Sequence, residues 1–211
     1  MTNNKIEIQF FHDVLCAWCY AISPRLRKLK EDFPEINIVH RSFALAPTPD
    51  RIVEMFGSKS EAKKQILNHW RAANQNDDKC RINTELMASR NYDYPYSMEA
   101  LKACKAAEFQ KGQAGHWDYF DAIQKAHLTD CVDISDYSVL EKCAEDIGLN
   151  TETFKTDFNA KKTIQTIEED MYMAQQFSVR SVPTLLINDK LEINGAQAYD
   201  AIKTSIERLI N

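Results

Sequence analysis

The sequence predicts an α/β protein whose sheet is interrupted by a long all-helical stretch, and three observations carry that prediction. Ile6, Ile8 and Phe10 alternate with polar residues and lead into Val14-Leu15, the pattern of a largely buried first strand. From about Asp50 to Thr163 strand signals vanish. They return at Pro183-Thr184-Leu185-Leu186-Ile187-Asn188 and Leu191-Glu192-Ile193-Asn194-Gly195, two short runs around an Asn188-Asp189 turn that read as a hairpin.

The elements follow in order. From Cys16 to about Lys30 the spacing turns helical, with Ile22, Leu26 and Leu29 on one face and Pro24 as an expected kink. Ile36 to Leu45 reads as a second strand, ended by Pro47 and Pro49. Within the helical stretch, Ser58–Gln75 carries Ala62, Ile66 and Trp70 on one side. Ser97 is the expected N-cap of a helix striped with Met98, Leu101, Cys104 and Ala107. Shorter helices are expected at His116–His127, Ser135–Ile147, closed by Gly148, and Thr151–Phe158. A helix at about Ala160–Phe177 precedes the hairpin, and one at about Ala198–Ile210 closes the chain. No Gly/Ser-rich linker flanks the helical stretch, so it reads as an insertion docked on one core.

Composition narrows the functional classes. The 211 residues suit one large domain, or a core with a sizeable subdomain, and can bury a real core. A net charge of −5 without a long basic run argues against nucleic acid and anionic membrane as partners. No apolar stretch approaches the length of a membrane span. Met1-Thr2-Asn3-Asn4-Lys5 leads straight into the first strand without an apolar leader, so a cytoplasmic location is expected. Six cysteines are too sparse for a disulfide scaffold at this length. In a reducing compartment any disulfide among them is transient and catalytic.

The chemistry concentrates at Cys16-Ala17-Trp18-Cys19, a CxxC at a strand-to-helix junction. Two cysteines so spaced can close a small reversible disulfide. The unpaired N–H groups and positive dipole end of a helix start stabilise a thiolate on the first. A CxxC is also half of a zinc site, but Cys80, Cys104, Cys131 and Cys143 form no second close pair. Tyr20, not His, follows Cys19, which argues against haem attachment. Cys104 and Cys143 fall on apolar helical faces and read as small core residues. Cys80 and Cys131 fall in loops, and acidic neighbours disfavour a thiolate at Cys131; their part in exchange stays open. His40, His69, His116 and His127 form no metal-ligand pattern in sequence.

Asp13-Val14-Leu15-Cys16-Ala17-Trp18-Cys19, Pro24, and Ser181-Val182-Pro183-Thr184 together resemble the DsbA-like branch of the thioredoxin superfamily over nearly the whole chain. Tyr94-Pro95-Tyr96-Ser97, Asp133-Ile134-Ser135-Asp136, Ile147-Gly148-Leu149-Asn150 and Asn194-Gly195-Ala196-Gln197 add to that resemblance. It implies a thioredoxin-like fold split by a helical insertion: core residues 1–49 and 164–211, insertion residues 50–163. The nearest group in pattern is the cytoplasmic DsbA-family oxidoreductases. Their relatives include the 2-hydroxychromene-2-carboxylate isomerases and kappa-class glutathione transferases, which typically carry serine at the first cysteine and lack the second. This chain keeps both cysteines.

The resemblance implies thiol–disulfide exchange on protein or small-molecule disulfides, with Cys16 attacking, Cys19 resolving, and Pro183 in cis facing them. It implies that Val182 pairs its backbone with an extended substrate, and that Ala17-Trp18 tunes the potential. Trp18 is either a plug over the disulfide or a substrate-facing platform. Asp13 and His12 are assigned supporting roles, although strand alternation turns one of them away from the thiols. No metal or organic cofactor is expected; a thiol system supplies reducing equivalents, with glutathione open as co-substrate. The aromatic insertion offers a groove for apolar substrate surface. Two rivals stand beside this reading: a glutathione-dependent isomerase or transferase for an aromatic small molecule, and a non-catalytic binding module. Direction of exchange, substrate and a homodimeric state are not fixed by the sequence.

Overall fold

A computed structural model describes residues 6–210. The leader segment Met1 to Lys5, on which the expectation of location partly rested, lies outside the described residues. Strand β1 (Glu7–His12) runs parallel to β2 (Asn37–Ser42), with helix α1 (Ala17–Asp32) as the crossover between them. Strands β3 (Thr184–Ile187) and β4 (Leu191–Asn194) form an antiparallel hairpin, and β3 pairs antiparallel with β1. The sheet order is β2-β1-β3-β4. Asn188 and Asp189 turn the hairpin with φ of 50° and 56°, a left-handed pair in the three-residue loop between the paired Ile187 and Leu191.

Between β2 and β3 come α2 (Pro49–Phe56), α3 (Lys59–Asn76), α4 (Thr84–Ser89), α5 (Ser97–Gln124), α6 (Tyr137–Asp146), α7 (Thr151–Phe158) and α8 (Lys161–Gln176). Helix α9 (Tyr199–Ile210) follows the hairpin. One apolar cluster runs from Ile8 and Phe10 of the sheet through Leu26 of α1 to Leu101, Phe120 and Phe154 of the helical layer. Helices α5 and α8 both pack on β2, so the inserted helices share the sheet's core. The boundaries drawn at 49/50 and 163/164 fall inside the first turns of α2 and α8, and the connections lie just before each helix.

Local departures have local causes. The second strand stops at Ser42, three residues short of the apolar run, because side chains take over the backbone donors: Met171 Sδ at Ala44, Asp13 at Leu45 and Ser97 Oγ at Ala46. Helix α2 opens with Thr48 as N-cap and Pro49 in its first turn, so Pro49, expected to end the strand, starts a helix instead. Ser97 is not the N-cap of α5. Tyr96 holds that place without a side-chain bond, and the Ser97 hydroxyl is turned inward.

The helices expected at 97–107 and 116–127 are one element broken at Lys111 and Gly112, where Gly112 takes φ 63°, ψ −155°. Its far end widens into a π-helical turn, Lys125–Thr129. Helix α1 continues through Pro24 to Asp32.

Candidate active site

Cys16 caps α1: its Sγ accepts from the Cys19 N–H at 3.2 Å, and its own carbonyl accepts from Tyr20 N at 3.2 Å. The Val182–Pro183 peptide bond is cis, and the Val182 carbonyl accepts from Cys16 Sγ at 3.5 Å. The first thiol and the proline loop therefore meet across 166 residues of sequence. Cys16 keeps 7% of its surface in solvent while Cys19 has none. Burial pushes the Cys19 thiol well up, and the neighbouring Cys16 adds to that.

The loop before α1 is held from three sides. Asp13 is fully buried and accepts from Leu15 N at 3.0 Å, Leu45 N at 2.6 Å and Ser97 Oγ at 2.6 Å. Burial raises its carboxyl to about 6, against the lowering pull of these bonds. Gln124, at the end of α5, donates from one amide nitrogen toward the carbonyls of Asp13, Val14 and Cys16 at 3.0–3.3 Å. Ser97 was read from sequence as a helix cap and not as a partner of Asp13, and Gln124 was not singled out. A helical serine and glutamine carry no mark that separates them from surface residues until the fold brings them to the loop.

Beside Cys16 opens an apolar cavity of about 280 Å³ between the core and the insertion. Trp18, Leu45 and Val182 line its core side, and Ile52, Phe56 and Trp70 its helical side. Of the insertion aromatics, Trp70 and Tyr94 face this cavity, whereas Tyr119 and Phe120 are fully buried in the core. Trp70 Nε1 donates to the Tyr94 hydroxyl at 3.2 Å, and that hydroxyl also lies 3.1 Å from His127 Nε2. Burial drives His127 down to about 3.

His12 does not face the thiols. It lies with His40 and His116 in a fully buried cluster on the sheet, a candidate ligand group although His40, His69, His116 and His127 showed no metal-ligand pattern in sequence. Period-two alternation predicts that one of His12 and Asp13 leaves the site, and His12 is the one. His40 stands opposite Phe10, two residues before His12, so the parallel register puts both rings on one face of the sheet, which sequence spacing does not display. Cys104 and Cys143 are buried, with burial raising Cys104 strongly and Cys143 to about 11. Cys131 is buried too, and burial more than its acidic neighbour raises its thiol. Cys80 is exposed.

A strand, a CxxC at a helix start, and a cis-proline loop against the first sulfur define a thioredoxin-type dithiol site on a thioredoxin-like fold. The DsbA-like thioredoxin domain model matches residues 7–207, and the chain belongs to that family.

It is 28% identical over 202 residues to the ClpXP adapter protein SpxH of Bacillus subtilis, covering 92% of this chain and 64% of that protein's length. Among solved structures, the cytosolic disulfide reductase DsbM from Pseudomonas aeruginosa with GSH superposes with a TM-score of 0.76 at 17% identity. That match covers 97% of this chain and 98% of DsbM. A 2-hydroxychromene-2-carboxylate isomerase superposes with a TM-score of 0.72 at 17% identity, covering 97% and 96%. Likeness at these identities concerns the fold. No helix among the described residues is long and apolar enough to cross a membrane.

Proposed function

We propose that the chain is a cytoplasmic thiol–disulfide oxidoreductase acting on protein or small-molecule disulfides that carry an apolar group beside the sulfur. The observation that carries this reading is the Cys16 sulfur, capping α1 and set 3.5 Å from Val182 O at the rim of an apolar cavity. The Cys16 thiolate attacks one sulfur of the substrate disulfide, and the other leaves as a thiolate. Cys19, once deprotonated, attacks the Cys16 sulfur of the mixed disulfide. That step releases the second substrate thiol and leaves a Cys16–Cys19 disulfide, two electrons having passed to the substrate. A cellular thiol such as glutathione resets the pair, and the reverse sequence oxidises a dithiol.

Val182 and Trp18 have assigned roles in this reading. The Val182 backbone pairs with an extended substrate segment, and Trp18 serves as the platform on which its apolar group rests. Asp13 is the nearby carboxyl able to take the Cys19 proton, which burial otherwise retains.

The test is Cys19→Ser. It is expected to trap a mixed disulfide through Cys16 and to abolish multiple turnover in insulin reduction, while Cys16→Ser abolishes both. A redox titration of the pair against glutathione buffers fixes the direction of exchange. The apolar, aromatic-lined cavity also suits a glutathione-dependent isomerase or transferase, for which turnover on an aromatic small molecule survives Cys19→Ser. A purely binding role, as the name of SpxH describes for that protein, predicts that Cys16→Ser keeps the cellular effect.

A further inference from the structure

The histidine cluster lies outside the dithiol chemistry and has its own geometry. His12 comes from β1, His40 from β2 and His116 from α5 just beyond its break, and all three are fully buried. Ring centroids are 5.1, 5.1 and 4.9 Å apart, an almost equilateral triangle. Three imidazoles on one tetrahedral ion, with metal–nitrogen bonds of about 2.0–2.1 Å, place their centroids about 5.2 Å apart. One nitrogen from each ring lies within 4.8 Å of the others, and His12 Nε2 and His40 Nδ1 are already 3.2 Å apart. A shared ion needs nitrogen–nitrogen edges of about 3.4 Å. The longest edge therefore closes by up to about 1.4 Å, a side-chain adjustment.

Two further features favour a ligand set over ordinary core packing. Glu108 Oε2 accepts from His116 Nδ1 at 2.7 Å, which orients the ring and leaves the lone pair on its Nε2 bare. A carboxylate behind a ligating histidine is a recurrent second layer of metal sites. Moreover, His12 Nδ1, His40 Nε2 and His116 Nε2 are all buried without a hydrogen-bond partner. A buried polar atom without a partner costs about 1–3 kcal/mol. An ion seated against the close pair His12 Nε2 and His40 Nδ1 supplies the partner that His116 Nε2 lacks, while His12 Nδ1 and His40 Nε2 are the opposite nitrogens of their rings. The Lys105 ammonium shares that Glu108 oxygen at 2.9 Å and is also paired with Asp170 at 2.8 Å, so its charge is met by two carboxylates.

We propose that His12, His40 and His116 form a binding site for one divalent transition-metal ion, through one nitrogen of each ring, with Glu108 orienting His116. Imidazole donors suit zinc, cobalt, nickel or copper over magnesium or calcium. Burial keeps all three rings below their ordinary value and so neutral near pH 7, the form that ligates. The bound ion ties the two parallel strands to the long helix of the insertion, and it is independent of the CxxC.

The experiment uses the full chain with Cys16, Cys19 and Cys80 each replaced by serine, stripped by chelation and titrated with Co²⁺. One equivalent is expected to bind, giving visible d–d bands without a thiolate charge-transfer band and raising the thermal midpoint. Glu108→Gln is expected to weaken binding about 10–100-fold, and His40→Gln and His116→Gln to abolish stoichiometric binding. Substoichiometric Co²⁺ uptake by the folded protein overturns the site, as does uptake that survives both histidine substitutions. Should those variants fail to fold, imidazole ¹⁵N spectra of the parent decide the matter. Zn²⁺ is expected to move the three buried rings and leave His69 and His127 in place; a shift confined to His69 overturns the proposal.

Discussion

At the scale of single residues, Asp13 governs the loop that presents the sulfurs. Its carboxyl rises from 3.8 to about 6 because burial penalises the charged form. The folded state therefore binds this proton more tightly than the unfolded chain. Its stabilising contribution is complete below about pH 4 and is lost as pH rises through 6. At about 1.4 kcal/mol per pH unit the loss is roughly 3 kcal/mol. Urea midpoints measured at pH 4 and pH 6.5 are expected to show this component in the parent and not in Asp13→Asn. Equal pH slopes in the two proteins would refute it. Ser97→Ala removes one of the bonds that lower the Asp13 carboxyl and leaves the Ala46 N–H unpaired. It is expected to cost about 1–3 kcal/mol and to move the same pH component upward. The sequence displayed Asp13 as a candidate because it precedes the CxxC. It hid the role of Ser97, whose place at the start of α5 looked like an ordinary helix cap.

At the scale of elements, the two halves of α5 perform different tasks, and the break at Lys111–Gly112 lets them do so. The first half brings Ser97 to Asp13; the second brings His116 to the sheet and Gln124 to the CxxC loop. Periodicity revealed both halves as separate helices but not their continuity, because hydrophobic spacing carries no information about how a chain re-aims after a glycine. The six-residue α4 was missed for a related reason: it is too short to build a period, and its visible mark is the Asn83 cap at Leu86 N.

Gly115 guards the break. A Cβ there meets Ala107 O and Lys111 Cβ at 2.6 Å, and Ala107 O is backbone that cannot swing aside. Gly115→Ala is expected to destabilise the fold by about 1–3 kcal/mol, read as a lowered urea midpoint with an unchanged slope. Gln124→Leu, which withdraws the shared donor from three buried carbonyls, is expected to cost a similar amount and also to alter the alkylation rate of Cys16. A stability loss without any change at Cys16 would separate the two roles of that residue.

At the scale of the whole molecule, the strand pattern at both ends of the chain and its gap between them made the interrupted α/β fold legible. The CxxC and the Val182-Pro183 pair made the two halves of the dithiol site legible. What joins insertion to core was not, because it is made of buried polar groups whose partners lie tens of residues away.

Lys105 of α5 and Asp170 of α8 are 1% and 2% exposed and meet at 2.8 Å, and Asp170 also accepts from Arg41 and from the Ser42 N–H of β2. One carboxylate of α8 thus fastens α5 of the insertion and an edge of the sheet to each other. Removing the lysine alone leaves the buried Asp170 carboxylate with the half-buried Arg41 as its remaining counter-ion, whereas replacing both ions removes the attraction together with the desolvation penalty. Lys105→Met is expected to cost about 3–5 kcal/mol, and Asp170→Leu alone a comparable amount. The double variant should recover a large part of either loss, since its interior is apolar at both positions. Additive losses in the double-mutant cycle would mean that the two charges do not act on each other in the folded protein. Asp170 would then fasten α8 to the sheet through Arg41 and the Ser42 N–H, with no help from Lys105.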